Sequence, residues 1–88
     1  MKVESVEIYS DATNAAVMRH PKRKFPGVLV QGDTLATLVR ALASVQSSVQ
    51  LSEDAAVGLA DVHDQLNELL QHYKAVLLEH SIGLPFHE

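Results

Sequence analysis

The spacing of apolar residues changes at one point, Gly32-Asp33-Thr34, and this change constrains the fold more than any other feature. Before it, apolar residues stand in short alternating or β-branched groups bounded by turn residues. After it, they recur every three or four positions almost to the end of the chain. A period of two suits strands and a period of 3.6 suits helices, so the chain predicts strands first and helices second, an α+β order.

In residues 3–10, Val6 and Ile8 alternate with polar neighbours and are expected to mark the buried face of a first strand. Ser10-Asp11-Ala12-Thr13-Asn14 reads as a turn, because Asp and Asn bond their own backbone readily. Residues 14–20 fit either a helical turn or a strand; their shortness and flanking turn residues favour a strand, which Pro21 ends. Val28-Leu29-Val30, between Pro26-Gly27 and Gly32, predicts a buried strand over 27–31. Together these make a three-stranded antiparallel sheet over about 3–10, 14–20 and 27–31.

Asp33 or Thr34 can cap a helix over 33–48, with Leu35, Leu38, Leu42, Val45 and Val49 as its apolar stripe. Ser52 can cap a second helix over 53–82, where Glu53 and Asp54 suit the positive end of the dipole. Its end is expected at Gly83 in a left-handed turn, with Leu84 folding back on Leu78 and Pro85 barring continuation. Such a helix would span about 45 Å, whereas a compact chain of this size has a radius of gyration near 12 Å. It must bend, with Gly58 as the hinge, or be covered by another chain. The plainer reading is a monomer with a kinked helix. The one preferred is a homodimer through the helices, with Leu59, Val62, Leu66, Leu69, Tyr73, Val76 and Leu77 as its interface.

The 88 residues predict a single domain over 1–88 with a thin stability margin. Without cysteine it has no disulfide or thiolate-bound metal, which fits the cytoplasm. No apolar run approaches the roughly 18 residues of a membrane span, and the acids in residues 1–20 do not suit a signal peptide. A net charge of −4 disfavours a nucleic-acid partner, whose phosphates need neutralising. The charge is uneven, however. Arg19, Lys22, Arg23 and Lys24 supply four of the seven Lys and Arg residues, while the second helix is acidic.

No residue pattern supports catalysis. There is no cysteine nucleophile, no serine in a nucleophile elbow and no phosphate loop, so the chain is expected not to be an enzyme and to need no cofactor. Asp61, Asp64, Glu68, His72 and Glu79 share one face of the second helix, and Glu68 with His72 has metal-ligand spacing. A solvated polar face explains them more simply, and no metal site is predicted. His80 stands at the helix end as a boundary residue, and His63 and His87 are expected in solvent. The basic turn has three readings: a solvated loop, a docking patch for an acidic protein formed by Arg19, Lys22, Arg23, Lys24 and Phe25, or a nucleic-acid contact. Phe25 alone gives little stacking surface for the last.

The segment Phe25-Pro26-Gly27-x4-Gly32-Asp33-Thr34-Leu35 resembles the central signature of HicB-type antitoxins. The resemblance covers roughly residues 4–46. It implies that Pro26 sets the strand entry, Gly27 takes an unusual backbone angle, Gly32 turns the strand, and Asp33 or Thr34 caps a helix that lies on the sheet. It further implies a domain that docks on a toxin-type protein, and it carries Pro26 to Leu35 over as scaffold rather than as contacts. The chain departs from that pattern at Val28, Ala36 and Thr37, and one long helix stands where that family commonly has a DNA-binding module. The chain is also similar to a small uncharacterised bacterial family with an Arg/Lys-x-Phe-Pro-Gly-Val stretch, Gln-Gly-Asp, and a closing helix like Leu69-Leu70-Gln71-His72-Tyr73. The expected function is a small non-enzymatic protein-binding module of antitoxin or immunity type, dimeric through its helices. The alternatives are a nucleic-acid-associated regulator using the basic turn Arg19–Lys24, and a small enzyme or metal-binding protein.

Overall fold

The computed structural model describes all 88 residues. The protein is α+β, in the order β1 (Glu7–Ser10), β2 (Ala16–Arg19), β3 (Gly27–Leu29), α1 (Gly32–Ser48) and α2 (Glu53–Glu79). It divides into two compact units, Met1–Gln31 and Gly32–Glu88.

The first unit is an antiparallel sheet in the order β1-β2-β3. Residues 14–20, open between helix and strand in the sequence, supply β2. The β1–β2 turn is held by Thr13, whose hydroxyl donates to the Ala15 carbonyl at 2.8 Å. Glu7 pairs with Arg19 and Ile8 with Met18, but Ser10 pairs with Val17, so Tyr9 is an extra residue and the ladder bulges there. On the other side Ala16 pairs with Leu29, Val17 with Val28 and Met18 with Gly27. Side chains alternate along a strand and paired residues share a face, so Ile8, Ala16, Met18 and Leu29 lie on one face. The strands are shorter than expected, and no side chain in this unit is buried. Val6, Ile8, Val28, Leu29 and Val30, expected inside, are all exposed. Three strands of three or four residues have one thin layer, and nothing within their own unit is stacked on it.

The second unit is a helical hairpin. Its centre is Ala36, Val39 and Leu70, with Leu35, Leu66 and Phe86 packed against them. The face of α1 turned to α2 is thus Gly32-Leu35-Ala36-Val39, rotated from the expected stripe; Leu38, Val45 and Val49 are exposed. The reason is size. Gly32 and Ala36 let the second helix approach closely, and the distance between helix axes is set by the side chains at the contact. Gly32 is buried, and a Cβ there would lie 2.1 Å from Cζ of Tyr73. Its role is this close approach; it neither turns a strand nor has a positive φ.

The caps match the expectation at one end of α2 and differ at the other. The Ser52 hydroxyl accepts from the Ala55 N–H at 3.3 Å. At the C-terminus the left-handed residue is Ser81, with φ 57°, and not Gly83. The Ile82 N–H donates to the Leu77 carbonyl at 2.9 Å and the Ser81 N–H to that of Leu78 at 3.2 Å. This is the double bond of a Schellman turn, whose apolar partners by position are Ile82 and Leu77. Leu78 stays exposed rather than receiving Leu84. α2 therefore ends at Glu79, three residues before the expected 82.

The part of α2 beyond Tyr73 runs past the start of α1, and the residues after it fold back so that Phe86 packs against the Ala36, Val39 and Leu70 centre. Phe86 sits between two cations, with the Arg40 guanidinium 5.6 Å and the Lys74 ammonium 5.9 Å from its ring centre. Lys74 also pairs with Glu88 at 2.5 Å, and Arg40 donates to the His87 carbonyl. The tail thus adds an apolar contact to one flank of the hairpin. His63, expected in solvent, is half-buried, with Nδ1 3.6 Å from Asp64.

Two outcomes are expected. Gly32→Ala must push the Tyr73 ring off α1 and lose about 1–3 kcal/mol in urea unfolding, and the loss should vanish in a Tyr73→Ala background. Ser81→Gly should raise stability by up to about 1 kcal/mol, because a left-handed residue with a Cβ is strained there; thermal melting checks it.

Candidate protein-docking site

The basic segment is built by a β-turn. The Arg23 N–H donates to the His20 carbonyl at 2.9 Å, closing a turn with Pro21 and Lys22 at its centre. Pro presets the φ that the second turn position needs. His20 Nδ1 accepts from the Lys22 N–H at 3.2 Å and holds the turn from inside.

Arg19 does not join the free cations. It forms an ion pair and hydrogen bond with Glu7, its partner across the β1–β2 ladder. The Tyr9 hydroxyl donates to the other Glu7 oxygen at 2.7 Å. The hydrogen bond from Arg19, and then that from Tyr9, holds the Glu7 carboxyl below the usual glutamate range. The same bonds raise the Tyr9 hydroxyl and the Arg19 guanidinium above their ordinary values. This triad joins β1 to β2 and leaves Arg19 little freedom to meet a ligand.

Lys22, Arg23 and Lys24, by contrast, have no carboxylate within ion-pair distance. Lys24 lies over the ring of Phe25, with its ammonium 5.4 Å from the ring centre. Phe25 is 73% exposed. Between this turn and the sheet runs a groove of about 460 Å3. Met18, Val28 and Leu29 give it apolar walls, Phe25 closes one side, and His20, Arg23 and Lys24 provide the polar edge. Gly27 lies in the groove, and a Cβ there would meet nothing within 4 Å. Its φ is not positive, so the unusual angle expected for it is absent. What glycine leaves at this position is open space. The outer edge of β3, next to the groove, pairs with no other strand.

Of the residues selected from the sequence, the structure brings Arg23, Lys24 and Phe25 together, sets Lys22 at the turn tip, and ties Arg19 to Glu7. Met18, His20, Val28 and Leu29 were missed as site residues. An uninterrupted Val-Leu-Val run reads as a buried strand, and no local signal marks it as exposed.

The residues proposed for a dimer interface divide. Leu66 and Tyr73 are engaged with α1 inside the hairpin, and Leu59, Val76 and Leu77 are half-buried. Val62 and Leu69 are exposed. Leu70, the most buried residue of α2, was not among them. No three His, Asp or Glu side chains come together as a metal-ligand set, and Glu68 and His72 have no third partner. No helix is long and apolar enough to cross a membrane.

Compared with known protein families, residues 1–86 match DUF6959, a family of unknown function. The chain belongs to this family. Comparison with curated proteins and with solved structures gives no match. DUF6959 membership carries no activity with it. What makes this chain a candidate binder is therefore its own geometry: an apolar groove, an open strand edge and three unpaired cations.

The Glu7 triad has a pH signature. A carboxyl held low in the folded state stabilises at pH values above its unfolded pKa, and that contribution is lost as pH falls through the folded value. Glu7→Gln should therefore weaken the protein near neutral pH, and the difference from wild type should begin to narrow as the pH falls below about 4.3 and vanish below the lowered folded value. Urea unfolding across pH 3–8 checks this.

Proposed function

We propose that the sheet unit is a non-enzymatic docking module for another protein, of the antitoxin or immunity kind that the HicB-type resemblance of Phe25–Leu35 suggests. The observation that carries this reading is the groove beside β3, whose apolar walls adjoin Lys22, Arg23 and Lys24 with no carboxylate of their own. The ligand this favours is a protein segment with an apolar anchor and flanking acids. The anchor fills the space at Gly27, and the acids meet the turn. An extended segment can also add a strand at the free edge of β3, which gives affinity through main-chain hydrogen bonds. The acids steer the approach and set orientation more than they add affinity.

The groove favours protein over nucleic acid. Its walls are aliphatic and Phe25 is its one aromatic, whereas single-stranded nucleic acids bind on several stacked rings within a continuous positive track. A net charge of −4 also works against phosphate.

Two variants test the reading. Lys22→Glu with Arg23→Glu and Lys24→Glu reverses the turn, and Gly27→Val fills the groove at a position where the added atoms have room and suit a strand. In pull-down from cells of the source organism after nuclease treatment, wild type should retain one specific protein, and both variants should lose at least ten-fold of it while melting as wild type does. Retention unchanged in both variants, or nucleic acid as the only bound species, overturns the proposal.

A further inference from the structure

We infer that one flank of the helical hairpin is the contact surface for a second copy of this chain. α1 and α2 are antiparallel, with Gly32 at the start of α1 against Tyr73 late in α2. At about 100° per residue, Leu38 and Val45 lie roughly 100–120° round α1 from Val39, and Val62, Leu69 and Val76 lie roughly 80–120° round α2 from Leu70. Antiparallel helices wind in opposite senses when viewed from one end, so both sets fall on the same side of the hairpin. They form two apolar ridges with seven-residue spacing. Leu38 is 45% exposed, Val45 41%, Val62 48% and Leu69 59%.

The opposite flank is already covered. Arg40 and Lys74, which hold Phe86 between them, lie on that side, so the hairpin's own apolar tail closes one flank and leaves the other open. The strip between the ridges, filled by Leu42, Leu59 and Leu66, carries no Lys, Arg, Asp or Glu; Ala41, Gly58 and Gln65 border it, with Asp54 and His72 just beyond. Asp61, Asp64 and Glu68 lie on the outer side of α2. This distribution selects the occupant. A two-fold contact sets a patch against its own copy, so a charged patch would meet its own sign. In a chain of net charge −4, a charge-free flank is the surface that a second copy can approach without repulsion.

The area is sufficient. Two helices side by side are about 20 Å across and α1 is about 25 Å long, a flank of roughly 500 Å2 per copy. Pairing it buries roughly 1,000 Å2 in total, the lower bound for a specific interface. The seven-residue ridges suit the shallow crossing of a four-helix bundle. This contact uses Val62, Leu69 and Val76 and leaves Leu66 and Tyr73 to the hairpin. It is independent of the groove beside β3.

Light scattering on the full chain at tens of micromolar is the test. Wild type should give twice the 9.6 kDa chain mass. Leu69→Glu should give the monomer mass, at least ten-fold weaker association, with helical circular dichroism retained, since Leu69 is not part of the hairpin centre. Leu38→Glu on the other ridge should do the same and serves if Leu69→Glu fails to fold. Leu78→Glu, 81% exposed and away from this flank, should stay dimeric, as should the charge-reversed turn variant. A monomeric wild type, or a folded ridge variant that keeps the dimer mass, overturns the inference. So does a dimer that Leu78→Glu disrupts as fully as Leu69→Glu does.

Discussion

The contact of Tyr73 with the bare backbone at Gly32 sets the arrangement of the helical unit. With no side chain at the first residue of α1, the ring lies where a Cβ would otherwise stand. That fixes which turn of α2 faces the start of α1, and the rest of the hairpin follows. Ala36 and Val39 meet Leu70, Leu35 and Leu66 fill the sides, and the last turns of α2 emerge beyond α1. The residues after α2 fold back on one flank of the hairpin, with Phe86 held between Arg40 and Lys74 and Glu88 paired to Lys74. A close approach at small residues and a clasp of mixed apolar and cationic contacts thus serve a unit with only three buried hydrophobic side chains.

The sheet unit follows a different logic. It has no buried side chain, and its order depends on backbone pairing, two side-chain-supported turns and the Glu7–Arg19–Tyr9 cluster. Exposed Phe25, Val28 and Leu29 beside unpaired cations make a surface with unsatisfied apolar area and unsatisfied charge together. Such a combination is costly to leave in water and useful to a ligand that offers both complements. This is the physical content of the docking proposal, and it would hold whatever the family were called.

Much of the architecture was legible in the sequence because it is local. The change of period at Gly32, the cap at Ser52, the turn at Pro21 and the break after residue 48 each depend on neighbours within a few positions. The errors share one cause. Leu38, Leu42 and Val45 outweigh Gly32 and Ala36 on any scale of hydrophobicity, yet the helices approach closest at the small residues. Val28-Leu29-Val30 looks like a core strand because composition reports an affinity for burial and not whether anything is there to bury against. Ser81 takes the left-handed turn in place of Gly83 because the last hydrogen-bonded turn of α2 ends there, and glycine two residues later is too late to serve. The basic turn was visible as a charge cluster; that Arg19 is neutralised while its three neighbours are not required the β1–β2 register.

By itself the sequence determined the element types, their order and the position of the basic cluster, since these follow from short-range periodicity, capping and residue chemistry. Only the tertiary structure decided which helix faces meet, that Gly32 is a contact rather than a turn, and that the last residues clasp the hairpin. It also decided that Gly27 opens a groove. These outcomes depend on which distant atoms share a volume: Tyr73 against Gly32, Glu88 against Lys74, Arg19 against Glu7. Packing of that kind is settled by shape across long stretches of chain, and one-dimensional spacing does not encode it.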